Sequence, residues 1–442
     1  MAGLSSPANV STRLQRIAEL ARRAPSMVLT TLAQHIDIDF LREAYRRTRK
    51  DGATGVDGQT AEAYAAALEI NLQSLLNRFK TGTYRAPPVR RVHIPKGDGT
   101  TRPLGIPTFE DKILQRAVAM VLEAVYEQDF LPCSHGFRPG RSAHQALEAL
   151  RNGMMEMHGA TVVELDIQRF YDTLVPSQLR HFLDQRVRDG VLRRAIDKWL
   201  KAGVLENGNV TYPEKGTPQG GVISPLLANI YLHEVLDLWF EREVKPRMRG
   251  AAFLIRYADD AVLVFALEAD ARRVMDVLPK RFGKYGLTLH PEKTRRVSFK
   301  RPPIGGSKSG TDTFDLLGFT HYWTKSRNGY WVIKRQTAKS RLQRALKRVA
   351  DWCREHRHMP VRVQARILGQ KLRGHYGYFG ITGNSRAVAL FFNLICAVWR
   401  YWLDRRSQHR HMPWTRFQRL LERHPLPGPI CVHSLYRAAA KP

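Results

Sequence analysis

Residues 253–265, FLIRYADDAVLVF, constrain this chain more than any other stretch. Two apolar, β-branched runs flank Asp259-Asp260, so each run reads as a strand of a covered sheet and the acids read as the turn between them. A second run, TVVELDI (161–167), has the same texture and carries an acid, Asp166, at its end. A sheet that pairs these strands brings Asp166, Asp259 and Asp260 to one edge. Asp-Asp also suits a plain tight turn, but an acid closing a separate apolar strand points beyond that. Carboxylates gathered at one edge attract divalent cations, and hard oxygen ligands favour Mg²⁺, with Mn²⁺ as a substitute. Two such ions roughly 3.5–4 Å apart can activate an attacking 3′-hydroxyl and stabilise a leaving pyrophosphate.

The surroundings predict an α+β fold. Helix-like stretches at 177–191 and 224–238 lie between the strand regions and another follows at 269–285, which is the order of a split β-α-β sheet with helices on one face. Upstream, helical periodicity runs from 11 to about 79, then at 111–126 and 142–152. Residues 85–108 alternate basic, apolar and turn residues around Lys96-Gly97-Asp98-Gly99, which predicts a basic hairpin turning at Asp98-Gly99. The stretch Gly136 to Arg141 is rich in glycine and arginine. Gly305 to Gly310 is the best linker candidate, or one long hairpin loop. Beyond it, Arg341, Arg344 and Arg348 line one helix face while Leu342, Leu346, Val349 and Cys353 line another. Residues 371–384 mix Arg373, His375 and Tyr376 with Tyr378 and Phe379, a composition suited to backbone contact and base stacking, or to a helical core.

The charge balance names the partner. In 442 residues, 71 Lys plus Arg stand against 40 Asp plus Glu, a net +31. A surface that basic gains affinity for nucleic acid by releasing condensed counterions; an anionic membrane surface is the rival reading. The N-terminal stretch has no apolar core of signal-peptide type, and the longest apolar run, Ala387 to Trp399, is too short to span a bilayer, so no membrane partner and a cytoplasmic location are expected. Cys133, Cys353, Cys396 and Cys431 form no C-x-x-C pair and read as reduced packing residues.

These features converge on one family. YADD between apolar strands, with ELDIQRFYD upstream and GTPQGGVISPLLANIYL in between, resembles the catalytic palm of bacterial group II intron-encoded reverse transcriptases. RVHIPKGDGTTRPLGIPT and SHGFRPGRSAHQAL resemble that family's fingers, GLTLHPEKT and FDLLGF its later palm motifs, and LRGHYGYFGITGN its thumb. The resemblance covers about Asp51 to Ser434. It implies a right-hand polymerase architecture: an N-terminal helical extension (1–50), fingers (51–160), a palm (161–325) and a helical thumb and maturase region (326–442). It implies RNA-directed DNA polymerase activity together with intron RNA binding and splicing.

Carried over position by position, Asp166 and Asp259 would ligate metal, the backbone carbonyl of Ile167 would be a third ligand, and Asp260 would support them. Tyr171 resembles the aromatic gate that excludes a ribose 2′-hydroxyl, where many relatives have Phe. Lys96 and Arg102 would contact the triphosphate. The glycines of Gly216–Gly221 allow close backbone approach, so Gln219 and Gly220 would line the nucleotide site. Lys293 resembles a lysine assigned as the acid that protonates pyrophosphate. Arg138 and Arg141 in the fingers, and Arg341, Arg344, Arg348, Arg373, His375 and Tyr376 beyond the palm, would contact nucleic acid. The implied partners are an RNA template with a DNA or RNA primer, deoxynucleoside triphosphates, a group II intron RNA held as a ribonucleoprotein, and target DNA. The Cys-pair nuclease module of some relatives is not found before Pro442, so priming from nascent strands or existing nicks is expected. Two other readings stay open: an RNA-binding splicing cofactor with an idle polymerase site, and a group II-like enzyme detached from any intron, as in phage defence or CRISPR-associated spacer acquisition.

Overall fold

The computed structural model describes residues 7–95, 99–157, 159–212, 220–303, 312–406 and 412–433. Its chain divides into two compact units, residues 1–296 and 297–442. In the second unit β9 (Phe319–Lys325) and β10 (Trp331–Thr337) pair as one antiparallel hairpin across the position, 325, at which the sequence suggested a palm boundary.

The palm sheet of the first unit follows from the apolar runs. Strand β3 (Gly159–Leu165) pairs antiparallel with β7 (Asp260–Phe265), and β7 with β6 (Ala252–Tyr257), so within the first unit the order is β6-β7-β3. The first strand in sequence thus pairs with the third rather than the second, as a split β-α-β sheet requires. The register Leu165↔Ala261, Val163↔Leu263, Thr161↔Phe265 puts Val163, Leu165, Ala261, Leu263 and Phe265 into the main core, while the alternate residues Val162 and Val264 are buried as well. A strand covered on both faces has no reason to alternate polar and apolar residues.

Two expected helices are modified. The stretch read as one helix over 177–191 is two, Pro176–Asp184 and Gly190–Leu200. The break holds because Val187 bridges to Leu29 as extended backbone, and Asp189 caps the second helix by accepting from the amides of Val191 and Leu192. The stretch 224–238 begins as an α-helix, Ser224–Leu232, then passes into wider π turns over His233–Asp237 and Phe240–Val244.

The basic hairpin forms as expected: β1 (Val89–Pro95) pairs antiparallel with β2 (Thr101–Ile106), and β1 continues in parallel to β4 (Val204–Glu206), itself paired with β5 (Asn209–Thr211). The proposed turn residue Asp98 and the linker 305–310 lie outside the described residues.

In the second unit β8 (Phe314–Leu316) joins the β9–β10 hairpin, followed by helices Lys339–Glu355, Val361–Phe379, Ser385–Asp404 and Trp414–Arg423. Helix Ser385–Asp404 is long and apolar enough to cross a membrane by length and composition. Its Val388, Phe391, Ile395, Trp399 and Leu403 instead build the core of this unit, and the Trp399 indole donates to Gln364 Oε1 (2.8 Å).

Candidate active site

The β6–β7 hairpin turns through Ala258 and Asp259, with Tyr257 paired to Asp260. Ala258 adopts φ +57°, a conformation that favours glycine, so the turn needs support. Arg256 supplies it. Fully buried, its guanidinium donates to the Ala258 carbonyl (3.0 Å), Asn229 Oδ1 (2.9 Å), Ser134 Oγ (2.7 Å) and both oxygens of Asp237 (2.7 and 2.6 Å). Asp237 is likewise fully buried. Burial alone would raise its pKa, but the Arg256 charge and hydrogen bonds hold it below the ordinary value. Gly136 lies directly behind the turn, where a Cβ would stand 2.2 Å from the Ala258 nitrogen, and its carbonyl accepts from Asn229 Nδ2 (2.7 Å).

Asp166 follows β3 at the same end of the sheet, one step past the Leu165↔Ala261 pair. Its backbone is clamped by the loop that contains HPEKT: His290 N donates to Asp166 O (2.8 Å), Gln168 N to Thr288 O (2.8 Å), and Thr294 Oγ1 to Asp166 O (3.3 Å). The same loop sets Lys293 Nζ 3.4 Å from the Asp166 carboxylate. Because Asp166 and Gln168 direct their bonds toward residues 288–290, Ile167, which forms the non-bonded pair with Leu289, turns its carbonyl away from that loop.

Asp259 is half-buried, and its pKa is raised, first by burial and also by the negative charge of Asp166, while Arg102 opposes the rise. Tyr171 belongs to the same group. Burial, then the Asp259 charge, pushes its phenol up to about 12 against the pull of Arg102. Its ring stacks edge-on to the buried Phe170 (5.4 Å), which in turn meets Tyr231 (6.5 Å). The structure thus brings Asp166, Asp259, Tyr171, Arg102 and Lys293 together from four separate sequence motifs. Asp260 is exposed, and among the described residues no three His, Cys, Asp or Glu side chains form a group able to hold a metal together. The carboxylates of Asp166 and Asp259 feel each other's charge, with Asp260 exposed beside them at the start of β7 and the Ile167 carbonyl one residue from Asp166. That all-oxygen set, with two like charges facing each other, fits a hard divalent cation.

Gly220 packs against β2 of the basic hairpin. Its φ is +120°, and a Cβ there would meet the Gly105 carbonyl of β2 at 2.6 Å, so only glycine fits. The next residues hang on a network that sequence reading missed: Gln115 Oε1 accepts from Val222 N (2.8 Å) and its Nε2 donates to Asp111 Oδ2 (3.1 Å), while Tyr84 OH and Trp199 Nε1 (2.7 Å) donate to Asp111 Oδ1. Burial pushes the Asp111 carboxyl up to about 6. Lys96 and Gln219 lie outside the described residues.

Three expected nucleic-acid contacts are corrected. Arg138 is buried, bound to Glu127 (3.0 Å) and to the carbonyls of Leu131 (2.9 Å) and Ser134 (2.8 Å), so it braces the loop from within. His375 is buried and stacked on Phe391 (3.8 Å). Tyr376 is buried, with its hydroxyl on the Pro427 carbonyl (3.1 Å). Arg141, Arg341, Arg348 and Arg373 are exposed and Arg344 half-buried. Arg373 also joins Arg362, Arg366 and Arg423 around a pocket of about 200 Å³ in the second unit that no carboxylate lines.

Comparison with known proteins agrees with this geometry. Residues 94–321 match the family described as reverse transcriptase (RNA-dependent DNA polymerase), a span that includes both carboxylates, Tyr171, Arg102 and Lys293. Protein YkfC of Escherichia coli is 33% identical over 326 residues, covering 65% of this chain and 84% of YkfC. The group II intron-encoded protein LtrA of Lactococcus lactis subsp. cremoris is 38% identical over 247 residues, covering 53% of this chain and 40% of LtrA. Nuclear intron maturase 4, mitochondrial, of Arabidopsis thaliana is 31% identical over 136 residues, 30% of this chain and 17% of that protein. With more than half its length inside the family match, and with those acids at one end of a single sheet, the chain belongs to the reverse transcriptase (RNA-dependent DNA polymerase) family.

Proposed function

We propose that this chain extends a primer along an RNA template with deoxynucleotides, using Mg²⁺ held by Asp166, Asp259 and the Ile167 carbonyl, and that it also binds a group II intron RNA and promotes its splicing. The observation that carries the polymerase reading is the closeness of Asp166 and Asp259: two carboxylates, 93 positions apart in the chain, the charge of Asp166 acting on Asp259, each held on its own backbone clamp at one sheet edge. Bound divalent cations would activate the primer 3′-hydroxyl and stabilise the departing pyrophosphate. Arg102, from the basic hairpin, grips the triphosphate. Tyr171, held on edge by Phe170, bars a 2′-hydroxyl. Lys293, ion-paired to Asp166, stands where a proton can be given to the leaving group. The right-hand division into fingers, palm and thumb belongs to this reading, as do target DNA and intron RNA as partners; the arginine pocket of the second unit and the net charge of +31 favour a phosphate-rich ligand.

Primer extension on an RNA template, comparing wild type with Asp259→Ala, tests the polymerase reading. Extension is expected to vanish while RNA affinity, spread over many basic contacts, stays within about twofold. Undiminished extension would sink the assignment. A parallel splicing assay with the same variant is expected to keep intron splicing, separating the two activities.

A further inference from the structure

The first unit holds a cavity of about 380 Å³ that shares no lining residue with the polymerase site and has two unlike walls. One wall is a single face of helix Gly190–Leu200 and its cap, where Arg194, Lys198 and Lys201 recur at i, i+4 and i+7. The acid on this face, Asp197, is held by Arg180. Lys198 is fixed by donating to the carbonyls of Gly82 (2.7 Å) and Tyr84, neutral acceptors that orient the ammonium without cancelling its charge. Arg85 adds a further exposed cation at the rim.

The facing wall is apolar and ends in Tyr212, whose residue is 72% exposed. The ring rests against the bare backbone of Gly203, where a Cβ would stand 3.0 Å from Tyr212 Cε1. Its remaining surface is therefore free to receive a flat partner. A cationic stripe tracking a backbone, beside an exposed aromatic platform, is the pairing that holds single-stranded nucleic acid. The volume matches a small-ligand site.

We propose that this cavity takes one unstacked nucleotide of a single strand, its base on Tyr212 and its flanking phosphates on Arg194 and Lys201. It is a strand-holding site in addition to the polymerase centre. An acidic peptide satisfies the cations but leaves the aromatic platform without a role, which is why the nucleic acid is favoured.

The test uses the full chain preloaded with an unlabelled hairpin primer–template, so that the polymerase site is filled, and a fluorescent unstructured 12-mer RNA read by anisotropy across salt. Tyr212→Ala is expected to weaken RNA binding at least about fivefold with an unchanged salt slope, and Tyr212→Phe to retain it. The pair Arg194→Glu and Lys201→Glu is expected to weaken it at least about tenfold and to flatten the slope by about 1.4, at roughly 0.7 per phosphate contact. Extension of the hairpin by all variants is expected to stay within about twofold, which separates a failure here from a failure of the polymerase reading. Affinity and slope unchanged in both variants would overturn the proposal. So would displacement of the RNA by AMP at equal nucleotide concentration, which marks a free-nucleotide site. Binding of a poly-glutamate peptide with equal affinity and indifference to Tyr212 would mark an acidic-protein site instead.

Discussion

The Arg256–Asp237 pair gives the sharpest perturbation. Asp237→Ala removes two charge-assisted hydrogen bonds of 2.7 and 2.6 Å and leaves a guanidinium with no solvent exposure and only neutral acceptors. Removing one partner of a buried pair costs about 3–5 kcal/mol, a large share of the roughly 5–15 kcal/mol that stabilises a typical domain. At a urea slope of about 3 kcal/mol per molar, the unfolding midpoint should fall by about 1–1.7 M. The double variant Arg256→Met with Asp237→Leu replaces the pair by apolar volume and is expected to recover most of that loss. It should not recover activity, because the Ala258 carbonyl, 3.0 Å from Arg256 Nη1, still loses its donor and the turn that bears Asp259 is free to shift. A displacement of about 1 Å at a reacting centre is worth on the order of 10² in rate. The assays are urea unfolding by fluorescence and single-turnover primer extension. A single variant destabilised by less than about 1 kcal/mol, or a double variant that extends primers at the wild-type rate, refutes the assignment of Arg256 as the positioning residue.

Three further outcomes follow from the site. Tyr171→Ala should increase ribonucleotide incorporation by roughly tenfold or more in a competition between ribo- and deoxynucleotides; unchanged sugar discrimination removes the gate. Gly220→Ala forces a Cβ against the Gly105 carbonyl at φ +120° and should raise the KM for deoxynucleotides about tenfold, with about 1–3 kcal/mol of local strain; an unaltered KM in steady-state extension argues against this loop as the nucleotide floor. For Asp111, burial raises the folded pKa from 3.8 to about 6, so its favourable contribution is complete below about pH 4 and is lost as the pH rises to about 6. The stability of wild type relative to Asp111→Asn should therefore fall by about 3 kcal/mol across that window, and urea midpoints whose difference is flat in pH would contradict it.

What could be read from the chain alone was what depends on local texture. The apolar runs around Asp166 and Asp259 dictated strands, and once two strands pair, the acids at their ends must share an edge. The basic hairpin declared itself by its turn residues. Long-range polar pairing was invisible. An arginine inside FLIRY demands a buried partner, which was a usable signal, but nothing local says that the partner is Asp237, carried by a π turn. Arg138 was expected to contact nucleic acid from its place in a fingers-like motif, yet four acceptors from its own loop and from Glu127 consume it. His375 read as a stacking surface for bases, but its stacking partner, Phe391, sits on the next helix. The helix break at 185–189 is likewise tertiary, set by the bridge to Leu29 and by Asp189 accepting from Ala33 N (2.8 Å).

The relation between the two metal-facing acids is set by neither of their loops but by the register of the β3–β7 ladder, whose end rung, Leu165↔Ala261, lies next to both. Since side chains alternate sides along a strand, sliding that ladder by a single rung would rotate Asp166 to the opposite surface while leaving the apolar content of both strands unchanged. Substitutions in the middle of the sheet, remote from any nucleotide, can therefore silence synthesis in a protein that still folds, and a screen for inactive but well-expressed variants should recover them among residues 161–165 and 261–265.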